Sequence, residues 1–395
     1  MIRRSIVHIS GHASPLPEPS ADALALSQRL LAHIRDAIAA AGGWLPFVEY
    51  EALALYAPGM GYYSNGSVKL GQEGDFTTAP ELSSLFGQTL ARQVAEILPH
   101  TGRQIIECGP GSGKLALDLL QELERLHALP DEYALLEVSG DLRERQQQRF
   151  AEQAPHLLPR LRWLDQLPAH IDGVVLGNEV LDAIPTHLLR WQEDGVHQLG
   201  VIWQDDALQL APRPLTDAAL LAQASTLPVE APYQSEVQWQ AAAFVRTLAE
   251  RLHRGVILLI DYGFPQREYY HPQRDSGTLM CHYRHHAHPD PLWLPGLQDI
   301  TTHVDFTAMA LAGVEQGLAL AGYTSQALFL ANAGITELLQ EADQNDLPRW
   351  LPLANQAQRL MSPAEMGELF KVLALSKQYP HPLRGFQMGD RSHTL

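Results

Sequence analysis

The run Glu107-Cys108-Gly109-Pro110-Gly111-Ser112-Gly113 constrains this chain more than any other stretch. It follows a short apolar segment, residues 104–107. It precedes residues 114–127, where Leu115, Leu119 and Leu120 recur at helical spacing. Glycines allow the chain to turn tightly between strand and helix and let a ligand approach the backbone closely. The helix start that follows presents unpaired N–H groups and a partial positive charge. This is the context that a nucleotide-type cofactor requires, and it predicts a strand–turn–helix unit of a parallel sheet.

The neighbouring sequence repeats the unit. Strands are predicted at 133–137, 160–164, 173–176 and 255–260, with a helix at 142–153. Strand–helix alternation of this kind implies an α/β fold with a doubly wound, mostly parallel sheet. The first hundred residues read differently, as helices at 22–41 and 47–56 and from Pro80 to about 98, with a Gly-rich loop at 62–78. Two stretches interrupt the alternation. Residues 187–212 alternate apolar and polar around Glu193-Asp194-Gly195 and Gln204-Asp205-Asp206, a three-stranded meander. Residues 264–299 are rich in His, Pro and Asp without periodicity and read as a long lid loop. Helices are expected at 308–321 and 362–369, and a final strand at 370–376. The organisation is therefore a helical region over 1–100, a first core half over 101–186, a meander insertion over 187–235, and a second core half over 236–395.

Composition narrows the function. Hydrophobic residues make up 46% and charged residues 18%, enough apolar material for a core, so wholesale disorder is excluded. A net charge of −17 argues against a general nucleic-acid binder, which needs a basic face to neutralise phosphates. Two cysteines, Cys108 and Cys281, support neither a disulfide framework nor a four-Cys zinc site. His282, His285, His286 and His288 match no common zinc spacing and are read as lid histidines, with no metal expected. No apolar run is long enough to span a membrane, and residues 1–10 lack the apolar region of a secretory signal. A cytoplasmic setting follows. The basic start, free of acids until Glu18, keeps a mitochondrial location as the alternative.

The glycine spacing separates cofactors. A dinucleotide fingerprint is G-x-G-x-x-G, whereas here Gly109, Gly111 and Gly113 place the third glycine one position early. No phosphate-binding loop of the G-x-x-x-x-G-K-[ST] type is present. An acid followed by G-x-G-x-G resembles motif I of class I S-adenosylmethionine-dependent methyltransferases. That resemblance implies that Glu107 engages the amino acid part of the cofactor. Glu137, ending the next strand, can accept both ribose hydroxyls. Asp165, after the third strand, falls where the class contacts adenine. A last strand at 370–376 suits the antiparallel seventh strand of that sheet.

Further motifs point to one family. They are Leu55-Tyr56-Ala57-Pro58-Gly59-Met60-Gly61-Tyr62-Tyr63, Gly74-Asp75-Phe76-Thr77-Thr78-Ala79-Pro80-Glu81, Phe86-Gly87, and Asn178-Glu179-Val180-Leu181-Asp182-Ala183-Ile184-Pro185. Asp261-Tyr262-Gly263, His303-Val304-Asp305-Phe306 and Met366-Gly367-Glu368-Leu369-Phe370-Lys371-Val372 add to them. The pattern resembles the MidA family from about residue 30 to 376. That group contains the mitochondrial complex I assembly factor that methylates arginine on a complex I subunit. The resemblance implies S-adenosyl-L-methionine as cofactor and a protein acceptor, with a respiratory-complex subunit as a candidate; a homo-oligomer is compatible with it. It also implies that Asp75, Thr78 and Glu81 close over the cofactor, although Thr78 and Glu81 would equally make a helix capping box. Thr77-Thr78-Ala79-Pro80 and Val138-Ser139-Gly140 depart from the family pattern and mark a divergent member.

Asn178 and Glu179 follow the fourth strand at the carboxyl edge of the sheet, where doubly wound folds bind ligands. If one helical turn follows, Glu179 and Asp182 share a face and can grip a guanidinium through charge-assisted hydrogen bonds. His303 and Asp305 are either substrate-side residues or a helix cap. Three functions stay open: a protein-arginine methyltransferase, a small-molecule methyltransferase, and a cofactor-binding assembly factor without turnover. A dinucleotide oxidoreductase is disfavoured by the glycine spacing.

Overall fold

The computed structural model describes residues 16–65 and 78–395. Seven strands form the central sheet: β1 (Gln104–Cys108), β2 (Glu132–Leu136), β3 (Leu161–Leu164), β4 (Ile171–Asn178), β5 (Leu252–Phe264), β6 (Ala319–Ser325) and β7 (Phe370–Lys377). Their order is β3-β2-β1-β4-β5-β7-β6, and the two-residue strand Val304–Asp305 pairs with the end of β5 as an eighth. Strands β1 to β5 are parallel where they pair, and β7 runs antiparallel to both β5 and β6. The apolar runs are near-continuous because both faces are covered. Ile105, Leu258 and Val372 pack on one side, under the helices Ser84–Ile97 and Lys114–Arg125. Their chain neighbours Ile106, Leu259 and Leu373 face the other side, against Trp239–Arg251 and Phe306–Val314. The direction of chain progression reverses between β1 and β4, which opens a crevice at their carboxyl ends.

A second layer stands over that edge. Leu45–Pro46, Gly195–Gln204, His187–Gln192 and Tyr233–Val237 pair in that order, and Ala207–Pro214 adds to Gly195–Gln204. The helices Ala21–Ala40 and Phe47–Tyr56 bury Leu30, Ile34, Phe47 and Leu55 against Leu188, Leu199 and Val201 of this sheet, and against Cys281 and Ile300 further on. The helical start, the meander and the segment before residue 300 thus share one apolar cluster.

Several elements differ from expectation, each because a distant partner or a local cap decides it. The helix expected from Pro80 to 98 breaks at Ser83, which is extended and caps a new helix by accepting from Leu85 N at 3.3 Å. Residues 187–212 do form the three meander strands, but Tyr233–Val237 and Leu45–Pro46 enlarge that sheet to five. The lid at 264–299 is not aperiodic: it holds the short helix Gln266–Tyr269 and a three-stranded sheet of His286–His288, Met280–Tyr283 and Asp299–Thr301. Glu236 anchors it, accepting from Thr278 N, Thr278 Oγ1 and Leu279 N at 3.0–3.1 Å. The helix expected at 308–321 stops at Val314, Gly317 turns the chain at φ +83°, and Ala319–Ser325 is the edge strand β6. Residues 362–369 are turns rather than a helix, following the helix Leu347–Met361. Among the described residues no helix is long and apolar enough to cross a membrane.

Candidate active site

The glycine turn leaves β1 in left-handed backbone conformations, with φ of +64° at Gly109, +51° at Gly111 and +76° at Gly113. L-residues with side chains visit that region rarely, which is the local reason for three glycines. A Cβ on Gly109 would meet Val180 Cγ2 at 3.0 Å, and one on Gly113 would meet Gln146 Cγ at 3.0 Å. Gly113 N donates to Pro110 O at 2.8 Å, and the helix Lys114–Arg125 starts directly afterwards.

Three polar side chains surround this turn. Glu107, 2% exposed, accepts a 2.7 Å hydrogen bond from Tyr133. Burial pushes its carboxyl up to about 7, against the lowering effect of Tyr133. Glu137 accepts from Ser139 N at 2.8 Å, and burial raises its carboxyl as well. Gln146, fully buried on the helix Gly140–Gln153, donates to Gly111 O at 2.8 Å and to Glu137 Oε2 at 3.4 Å, and accepts from Trp163 Nε1 at 2.8 Å. Two buried acids flanking a backbone cradle suit a ligand that carries an ammonium group and ribose hydroxyls. S-adenosylmethionine carries both, so the residues present fit that cofactor.

A second group of polar side chains lies across the crevice, after β4. The chain from Glu179 to Asp182 is a turn and not the helical turn expected, because Glu179 takes φ +52° and donates its N–H to Ile260 O at 2.9 Å. A side-chain-bearing residue in that region is uncommon and marks local strain. Asp261 secures the turn: buried near the carboxyl end of β5, it accepts from Leu181 N at 2.9 Å and Asp182 N at 3.3 Å. Asn178 Nδ2 donates to Glu179 Oε1 at 3.0 Å. Glu179 also accepts from Ala79 N. Its carboxyl is pushed up to about 8, first by burial and then by Asp182, with Asp299 of the lid sheet adding to the effect. Asp182, 6% exposed, rises to about 6 by burial. One of its oxygens accepts from Tyr262 OH at 2.8 Å; the other, Oδ1, is buried with no hydrogen-bond partner among the described residues, as is Asn178 Oδ1.

The structure thus brings Glu107, Gly109, Gly111, Gly113 and Glu137 together on one wall and Asn178, Glu179 and Asp182 on the other. Thr78 and Glu81 lie between the walls, although no capping box forms: Thr78 makes no side-chain cap bond, and Glu81 accepts from Ser112 Oγ of the glycine turn. Asp165 has a side chain 87% exposed and an ion pair with Arg143 at 2.7 Å. Asp75 lies outside the described residues. Asp305 caps the helix Phe306–Val314, accepting from Ala308 N at 3.2 Å, while the His303 ring stacks on Phe264 with centroids 5.2 Å apart. Gln146, Asp261, Tyr262 and Asp299 went unassigned at the sequence level. Asp261 and Tyr262 had a signal in the Asp261-Tyr262-Gly263 motif at the carboxyl end of a central strand, which faces the crevice. Gln146 and Asp299 had none. Among the described residues no group of three or more His, Cys, Asp or Glu side chains is placed to hold a metal.

A sheet in the order β3-β2-β1-β4-β5-β7-β6 with an antiparallel β7, a glycine turn after β1 and an acid after β2 defines a class I S-adenosylmethionine-dependent methyltransferase. The family model described as "Putative S-adenosyl-L-methionine-dependent methyltransferase" matches residues 89–324. The chain belongs to that family, the MidA-type methyltransferases. A Burkholderia thailandensis protein crystallised with S-adenosyl-homocysteine is 53% identical, with a TM-score of 0.94 over 96% of this chain and 100% of that one. A native structure from the same organism gives 52% identity and a TM-score of 0.91. The "Protein arginine methyltransferase NDUFAF7 homolog, mitochondrial" of Drosophila melanogaster is 30% identical, over 91% of this chain and 87% of that protein. Its Danio rerio counterpart is 28% identical, over 90% and 89%.

Proposed function

We propose that the protein transfers a methyl group to an arginine side chain of a protein substrate. The observation that carries this reading is the carboxylate pair after β4: Glu179 is raised to about 8, and Asp182 keeps a buried oxygen without a partner. Holding a half-buried Glu179 beside a buried Asp182 is costly unless a cation joins them. A guanidinium satisfies both, because its planar fork matches carboxylates and it is weakly hydrated. The printed names of the mitochondrial relatives support the same acceptor.

S-adenosylmethionine supplies the electrophilic methyl carbon. Glu107 holds its ammonium and Glu137 its ribose, with Thr78 and Glu81 closing from above. Glu179 and Asp182 bind the guanidinium on two sides, with Asn178 orienting Glu179. They draw positive charge towards the far nitrogens and aim the remaining one in line with the methyl, which addresses orientation and charge together. Glu179, with its raised basicity, takes the proton lost from the methylated nitrogen. Asp165 and Asp75 complete the cofactor side. The helical start, meander and lid form one substrate-binding lobe on a methyltransferase core. A cytoplasmic location and a respiratory-complex subunit as acceptor complete the proposal.

The test is mass spectrometry of a host proteome with and without this gene, followed by assay of the purified protein on the arginine peptides found. Loss of methyl-arginine at specific sites is expected, and Glu179→Ala should abolish transfer while cofactor still binds. Wild-type turnover by that variant would remove Glu179 from the mechanism. An unchanged methyl-arginine profile would remove the acceptor assignment.

A further inference from the structure

The residues after the helix Phe47–Tyr56 turn sharply and bring Tyr63 back onto Tyr56. Gly61 makes the turn: its N–H donates to Ala57 O at 2.7 Å, and a Cβ there would lie 2.5 Å from Ala57 N. The two tyrosine rings stack with centroids 5.4 Å apart and planes 22° apart. Both hydroxyls are tethered inside the protein. Tyr56 donates to Ala183 O at 2.8 Å, next to Asp182, and Tyr63 donates to the two oxygens of Asp299 at 2.9 and 3.0 Å. Burial, then Asp299, holds both hydroxyls well above the usual phenol range, so they remain neutral donors. The ring of Tyr56, in contrast, leaves the residue 38% exposed. Its polar tip is anchored beside carboxylates, and one ring face is left beyond the stack with Tyr63.

We propose that Tyr56 and Tyr63 form an aromatic shelf at the mouth of the acceptor pocket, on which the incoming guanidinium stacks before Glu179 and Asp182 receive it. This rests on the arginine reading above and adds the element that selects a flat cation. The electron-rich ring face attracts a cation, and nearby Asp182 and Asp299 reinforce the attraction. A planar, weakly hydrated guanidinium stacks there at lower desolvation cost than a compact ammonium or a neutral group of the same shape. The shelf therefore favours arginine over both lysine and citrulline.

Calorimetric titration tests it, using the protein saturated with S-adenosyl-homocysteine. The probes are N-acetyl-arginine amide and its neutral isostere, N-acetyl-citrulline amide. Wild type is expected to prefer the arginine probe. Tyr56→Leu should weaken the arginine probe about tenfold, which corresponds to about 1.4 kcal/mol, and leave the citrulline probe unchanged. Tyr56→Phe keeps the ring and should retain most of the preference. Tyr63→Leu provides the same test if Tyr56→Leu loses S-adenosyl-homocysteine binding. Equal weakening of both probes, or an unchanged arginine affinity, overturns the shelf. Methyl transfer to an arginine peptide, assayed in parallel, separates the two ideas. Turnover with unchanged arginine affinity in Tyr56→Leu overturns the shelf alone. A shelf-dependent preference without methyl-arginine product overturns the arginine reading alone.

Discussion

Replacing Glu179 by Gln should stabilise the protein while abolishing methyl transfer, and the gain should depend on pH. The carboxyl shifts from 4.5 to about 8 in the fold, mainly through burial and secondarily through Asp182. A carboxyl raised in the fold gives no penalty below 4.5, where it is protonated in both states. Between 4.5 and about 8 the unfolded chain ionises it and the folded one does not, so the fold loses stability as pH rises. At pH 7 the interval from 4.5 amounts to about 3 kcal/mol at 1.36 kcal/mol per unit. Glu179 is half-buried, and solvent relaxes this to about 1–2 kcal/mol. Gln keeps an oxygen to accept from Asn178 and Ala79 and never ionises. Thermal unfolding of both proteins without ligand should give similar midpoints near pH 4.5. The variant should unfold a few degrees higher at pH 7, with a further gain at pH 8.5. Cofactor affinity should stay near wild type. A variant that is less stable, or whose advantage is the same at pH 4.5 and 8.5, would refute the burial argument.

Other perturbations reach the two walls separately. Gly113→Ala forces a side chain to φ +76° with its Cβ 3.0 Å from Gln146. It should cost about 1–3 kcal/mol in urea unfolding and weaken S-adenosylmethionine binding. Gln146→Leu removes the bonds to Gly111 O, Glu137 and Trp163; cofactor affinity should fall at least about tenfold by calorimetry, at one lost bond's worth of about 1–1.5 kcal/mol. Tyr262→Phe removes the bond that orients Asp182, so kcat should drop about tenfold with cofactor affinity unchanged. Because Glu179 must be ionised to hold the guanidinium, kcat/KM for the arginine acceptor should rise with pH, with its midpoint near 8, and level off above that; a profile flat from pH 6 to 9 would contradict this.

The cofactor wall was legible because its requirements are local. Positive φ at Gly109, Gly111 and Gly113 demands glycine in one contiguous run, and an acid at the end of a strand needs only the strand to be recognised. Phe47–Tyr56 was legible from its stop at Pro58-Gly59, and the meander strands from their alternation, which reports a buried face. The edge strand β6 was not. Its sequence, Ala319 to Ser325, continues a helix-like apolar pattern, and only pairing with β7 and the turn at Gly317 make it a strand. The lid sheet was hidden because strands of three or four residues are too short to show alternation. Gln146 looked like one more polar residue on a polar helix, yet it is fully buried under the glycine turn.

The sequence alone determined a methyltransferase core and its cofactor, because the glycines, Glu107 and Glu137 fall at positions that the strand–turn–helix pattern fixes locally. Tertiary structure alone decided the carboxylate cluster opposite the glycine turn. Glu179 and Asp182 come from the end of β4, Tyr262 from β5, Asp299 from the lid sheet and Tyr56 from the second helix. No local pattern links positions so far apart in the chain. Their proximity raises Glu179 and leaves Asp182 Oδ1 buried without a hydrogen-bond partner among the described residues. Such an environment exists only once the lobe has folded over the sheet.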